Sequence, residues 1–131
     1  KVIDPEFAFY GPMGFDIGAV IGNLLMAYLA SAGHERSVGE RASFEAWLLE
    51  TIEGVWTGFS RKFLELWRNE ARGDGYPASL FDSEAGAARL EAERQAYMAR
   101  LFQDTVGFAA AKTIRRILGL AAVVLLVLPA P

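Results

Sequence analysis

Residues 17–32 constrain this chain more than any other segment. They run Ile17-Gly18-Ala19-Val20-Ile21-Gly22-Asn23-Leu24-Leu25-Met26-Ala27-Tyr28-Leu29-Ala30-Ser31-Ala32, with hardly a polar side chain among them. The stretch lacks the two-residue alternation of a half-buried strand and is too long for a buried one, so it reads as a helix apolar on all sides. Such a helix belongs either at the centre of a globular core or in a membrane. A bilayer span takes about 20 apolar residues. This stretch has 16 and carries Asn23, and the apolar run after Arg116 has 12 before Pro129. Both fall short, so the first is expected to be a buried core helix, with Asp16 as its cap and Gly33 as its C-terminal stop.

Other helices follow. Residues 34–42 are a polar connection. From Ser43 to Arg72, the residues Phe44, Trp47, Leu48, Ile52, Val55, Trp56, Phe59, Phe63, Leu66 and Trp67 recur at spacings of three and four, the signature of an amphipathic helix. Gly54 and Gly58 weaken it and are expected to mark close packing or a bend. Gly73-Asp74-Gly75-Tyr76-Pro77 is a break. A third helix is predicted over 83–103, capped by Asp82, with Leu90, Tyr97, Met98, Leu101 and Phe102 on its buried side. A fourth is predicted over 104–121. At the start, Val2-Ile3-Asp4 reads as a short strand that Pro5 keeps extended, and Phe7 to Gly14 form an aromatic loop too rich in glycine and proline for a helix. The fold class is therefore mainly α, with one short N-terminal strand.

Composition narrows the function. Of 131 residues, 53% are hydrophobic, which excludes a disordered chain, and the absence of cysteine excludes a disulfide or thiolate-metal scaffold. A net charge of −3 argues against a nucleic-acid partner. The chain opens on Lys1 inside an apparent strand and without the pattern of a signal peptide, so it is expected to be cut from a longer protein. The apolar excess then belongs to surface that meets the rest of that protein, and no membrane association is expected.

Two charged groups can carry chemistry. Asp4 and Glu6 flank Pro5, and in extended backbone alternate side chains share one side, so both carboxylates can converge on a hard cation such as Mg²⁺. Taken alone, the pair is as readily two solvated carboxylates. Residues 106–131 contain three bases, Lys112, Arg115 and Arg116, and no acid. At spacings of three and four these share one helix face and offer an anion site. They fit equally an ordinary solvated face, or cations that complement a helix C-terminus.

The segment Val2-Ile3-Asp4-Pro5-Glu6-Phe7-Ala8-Phe9-Tyr10-Gly11-Pro12-Met13-Gly14-Phe15-Asp16-Ile17-Gly18-Ala19 closely resembles the metal-binding segment of the aminoglycoside-phosphotransferase-like kinases, and among these the methylthioribose kinase family. The segment Asp104 to Ala121, with Lys112-Thr113-Ile114-Arg115-Arg116, resembles the same family. The resemblance covers roughly residues 1–121 and is loosest over 72–95. It implies the helical C-terminal lobe of a protein-kinase-like α+β fold over 1–121, followed by an apolar tail of uncertain origin at 122–131. It assigns Asp4, Pro5 and Glu6 to the ATP site, with Asp4 and Glu6 on Mg²⁺, and Arg115 and Arg116 to the sugar. It gives Asp16 a structural role, hydrogen bonding the catalytic loop, which is compatible with a simple N-cap. The implied reaction moves the γ-phosphoryl group of ATP to the 1-hydroxyl of S-methyl-5-thioribose, in a cytoplasmic enzyme of methionine salvage that is a homodimer at full length.

Parts of a kinase are not in this sequence. It contains no Gly-rich nucleotide loop, no strand lysine for the phosphates and no catalytic-loop Asp, which the resemblance puts upstream of Lys1. The segment alone is expected to be inactive. After Ala121 the family continues with a histidine and an acid-bearing helix, whereas here Ala122 to Pro131 is uncharged, which suggests a shifted reading frame or a premature end near residue 122. Alternatives are another kinase of the superfamily (aminoglycoside, choline or homoserine), a non-catalytic helical remnant, or a membrane-associated interaction module. His34, just past a glycine, reads as a solvated loop residue without a role.

Overall fold

The computed structural model describes residues 9–70 and 75–119, and contains three α-helices: α1, Gly14–Ser31; α2, Ala42–Glu70; and α3, Glu84–Leu118. Single 3₁₀ turns follow α1 (Ala32–His34) and precede α3 (Ala78–Leu80). Among the described residues there is no strand, as a mainly α lobe requires. The strand expected at Val2–Asp4 and the tail at 122–131 lie outside the described residues.

The two helices expected over 83–103 and 104–121 are one continuous helix of 35 residues. No breaker stands at the supposed junction: Asp104 is exposed, and Thr105 turns its hydroxyl back to donate to the Leu101 carbonyl at 2.8 Å. The cap is Ser83 rather than Asp82, its Oγ accepting from the Gly86 N–H at 3.0 Å. Asp16 does not cap α1 either. The helix starts two residues earlier, at Gly14, leaving Asp16 exposed in the first turn, where a negative charge suits the helix dipole. Gly33 is not the left-handed stop. It lies within the 3₁₀ turn, and Gly39 (φ 83°) adopts the left-handed conformation in the loop before α2.

α1 buries a single stripe. Gly14, Gly18, Gly22, Met26 and Ala30 recur every four residues, and all are buried. The glycines let α1 lie directly on the backbone of α3. A β-carbon on Gly14 would meet the Thr105 nitrogen at 2.9 Å, and one on Gly22 the Ala109 oxygen at 3.0 Å. Gly14 thus matches Thr105 and Gly22 matches Ala109 and Thr113, so the two helices run in the same direction. This corrects the expectation of a helix buried all round, since Val20 and Leu29 are about half exposed on the other faces. It also corrects the expected shortness: with its 3₁₀ turn the helix spans Gly14–His34, 21 residues, long and apolar enough by length and composition to cross a membrane.

α2 is joined to α1 at its start, where Arg41 Nε donates to the buried Ser31 hydroxyl at 3.0 Å and Leu48 fills the core. It runs antiparallel to α3 and meets it through rings rather than backbone. Trp56 packs on Phe102 (centroids 4.8 Å apart), Phe63 stacks on Tyr97 (5.8 Å), and Trp67 stands edge-on to Tyr97 (5.3 Å). Gly54 and Gly58 mark neither close packing nor a bend, since a β-carbon on either would meet nothing within 4 Å and α2 is unbroken.

The core is thin. Only six hydrophobic residues are buried among those described, whereas Trp47, Leu66, Val106 and Ile117 are each about half exposed. The described helices therefore hold apolar surface that no other described residue covers.

Candidate functional site

The candidate residues fall into three places. Asp4, Pro5 and Glu6 lie outside the described residues. Asp16 sits on the exposed face of α1, opposite the glycine stripe. Lys112, Arg115 and Arg116 sit in the last two turns of α3. Gly14 and Gly18 pack against Asp104–Ala109, so Asp16 stands about two turns short of the basic residues. The structure does not bring Asp16 to them.

A relay of rings ties the start of the described chain to the middle of the second half of α3, at Phe108. Phe9 packs edge-on against Phe15 with centroids 5.2 Å apart, and Phe15 packs edge-on against Phe108 at 5.5 Å. Phe108 is one helical turn before Lys112 on the same side of α3. Asp4 and Glu6 precede Phe9 by five and three residues in the sequence. The residues present suit a divalent metal in their chemistry, because two carboxylates offer hard oxygen donors. Among the described residues, no group of three His, Cys, Asp or Glu lies together.

The three basic residues do not form one uniform face. Met98, Leu101, Thr105 and Ala109 make the buried stripe of α3. Lys112 and Arg116 fall within about 20° of Thr105 around the helix, whereas Arg115 is turned away by about 80°. Burial agrees: Lys112 and Arg116 are half-buried and Arg115 is exposed. Arg115 also holds the helix end, its carbonyl accepting from the Gly119 N–H at 2.9 Å. The sequence pattern treats the three as equivalent because spacings of three and four both count as neighbours; the phase against the glycine seam separates them.

The strongest electrostatic perturbation lies elsewhere. Glu91 on α3 accepts from both Arg68 Nη2 (2.5 Å) and Arg68 Nε (3.3 Å), and from Gln95 at 2.9 Å. The Arg68 hydrogen bonds, helped by Gln95, pull its carboxyl down to about 2. This pair bridges α2 and α3 beside the Trp67–Tyr97 rings, far from Lys112, and is a structural clamp.

No family model matches the chain. Individual proteins do. It is 46% identical over 123 residues to methylthioribose kinase 2 of Oryza sativa subsp. japonica, covering 92% of this chain and 28% of that protein. It is 42% identical over 123 residues to methylthioribose kinase of Escherichia coli O45:K1 (94% and 29%) and 40% identical over 123 residues to that of Geobacillus thermodenitrificans (92% and 25%). The segment thus spans a little over a quarter of the length of the curated relatives it matches. Identity at this level across nearly the whole segment places the chain, by sequence, in the methylthioribose kinase family.

Proposed function

We propose that this segment is part of a cytosolic, homodimeric kinase that transfers the γ-phosphoryl group of ATP to the 1-hydroxyl of S-methyl-5-thioribose. The observation that carries the reading is the 46% identity to a methylthioribose kinase over 92% of the chain. The reading's geometric support is that the Phe9–Phe15–Phe108 relay holds the start of the described chain against α3 about one turn before Lys112.

In this reading Asp4 and Glu6 hold Mg²⁺, and Pro5 keeps them on extended backbone. The metal supplies charge neutralisation at the phosphates of ATP. Arg115 and Arg116 hold the sugar, since planar guanidinium groups can donate paired hydrogen bonds to adjacent oxygens. Asp16 steadies the loop that carries the catalytic Asp, which the segment itself does not contain. Thus the segment contributes positioning and charge, the main part of catalysis in phosphoryl transfer. The uncovered apolar surface of α1 and α2 suits packing against the remainder of such an enzyme.

The test is a substrate panel on the full-length protein: ATP with S-methyl-5-thioribose, choline, homoserine and an aminoglycoside. Phosphorylation of the thiosugar above all others is expected. Preference for another acceptor, or no transfer at all, refutes the assignment.

A further inference from the structure

The face of α1 opposite the glycine seam is apolar without being covered. Asp16, Val20, Asn23 and Ala27 fall within about 60° of one another around the helix, and Val20 is 47% exposed. Asp16 is the only charged residue of α1, whereas α2 and α3 carry charges along their lengths. A helix face that meets water carries charged side chains, so this one suits contact with more protein. Asn23 is the odd residue in it. Asparagine is a poor helix former. Among the described residues, the one side-chain hydrogen bond from α1 is that of Ser31 with Arg41, so the exposed Asn23 amide bonds nothing here. Covered without a partner, that amide would cost more than an apolar side chain; covered by a main chain, it can donate and accept as a peptide group does. The element that covers it is the remainder of the same polypeptide, since the segment spans 28% and 29% of two of its relatives.

We propose that Asn23 is a positioning residue that, with Asp16, hydrogen-bonds the main chain of the stretch carrying the catalytic Asp. The inference rests on the kinase reading above, in which Asp16 steadies that loop, and adds a second anchor to it. Seven residues separate the two on α1, about 10 Å along one helix face. About three residues of extended chain span that distance. A chain that crosses α1 at Asp16 and runs along it therefore reaches Asn23, with Ala19 and Val20 beneath it. One anchor leaves such a stretch free to pivot, whereas two fix its direction. In phosphoryl transfer, a catalytic group held out of line loses rate while ATP and the sugar, held by other residues, still bind.

The experiment uses the full-length enzyme with N23L, which nearly keeps the side-chain volume and removes both hydrogen-bonding groups. Its kcat is expected to fall roughly tenfold, with KM for ATP and for S-methyl-5-thioribose changed by less than about twofold. Amide hydrogen exchange is expected to speed up in the stretch carrying the catalytic Asp and to stay unchanged in α2. N23A removes the same groups from a smaller side chain, so it reports the same pattern if N23L fails to fold. The double variant D16N/N23L should be little slower than the slower single variant, since both anchors hold one stretch. An unchanged kcat in N23L, faster exchange across the whole protein, or losses that multiply in the double variant overturns the role of Asn23. A wild-type enzyme that does not phosphorylate the thiosugar overturns the kinase reading and this inference together, so the two failures are told apart by the wild-type control.

Discussion

Gly18 of α1 lies against Thr105 of α3 so closely that a β-carbon on Gly18 would stand 2.5 Å from the Thr105 carbonyl oxygen, and 2.8 Å from the β-carbon of Phe108. Two of the three atoms it would meet there are backbone, which cannot swing aside as the end of a side chain can. The seam between α1 and α3 therefore depends on having no side chain at this point.

The first prediction contrasts glycines. G18A forces the helices apart and should lower stability by about 1–3 kcal/mol, the usual cost of overpacking. G54A and G58A each add a methyl group with nothing within 4 Å of it, and each should raise stability by about 0.5–1 kcal/mol, because alanine restricts the unfolded chain. Urea unfolding of the three variants checks the sign. A neutral G18A would mean that the helices do not meet on the glycine stripe.

A second prediction concerns acid. Glu91 has its folded pKa lowered to about 2 from an ordinary 4.5 by the Arg68 and Gln95 hydrogen bonds. A carboxylate with a depressed folded pKa contributes stability that is fully present above its unfolded value and is lost as pH falls through the folded one. The wild-type protein should therefore lose part of its α2–α3 linkage between pH 4.5 and 2. E91Q should flatten the pH dependence in that window. Because the pair is partly exposed, the effect is small and shrinks with added salt. Denaturant midpoints at pH 7 and pH 3, with and without salt, measure both features.

The same contrast explains what the sequence discloses. The helical class, the break at 73–77 and the amphipathic face of α2 are legible because periodicity and turn residues are local signals. The Gly14, Gly18, Gly22 spacing is equally visible, but its meaning depends on α3, nearly a hundred residues away. Thr105 shows why the α3 junction is obscure: its side chain bonds inside its own helix, and the helix passes through Asp104 unbroken. For the candidate site, Lys112, Arg115 and Arg116 are recognisable as a basic cluster. Their division into a half-buried pair and an exposed rim is set by the phase of α3 against α1, which no window of sequence contains.

A third prediction addresses α1 itself. Its length and hydropathy would allow it to cross a membrane. Its glycine edge is already taken up by α3, and the opposite face carries Asp16 and Asn23, which would face lipid in a spanning helix. The full-length protein is expected in the soluble fraction after lysis, and alkaline carbonate should release any portion that sediments with membranes. Retention after carbonate would make α1 a span and the α1–α3 seam a contact within the membrane.

The fourth prediction tests the carboxylates. If Asp4 and Glu6 hold Mg²⁺, replacing either by its amide removes one negative donor while keeping nearly the same shape. D4N and E6Q in the full-length enzyme should then need a higher Mg²⁺ concentration for half-maximal rate, and at saturating metal should still fall by roughly 100-fold in kcat, since the metal stabilises charge on the transferring phosphoryl group. A structural defect would behave differently: it would lower the unfolding temperature and leave the metal dependence of the remaining activity unchanged. The double variant separates the two carboxylates further. Residues that share one ion act as a unit, so D4N/E6Q should be little worse than the more damaging single change. Full additivity of the two losses would mean that Asp4 and Glu6 act at different places, and that the alternation about Pro5 does not bring them to one ion.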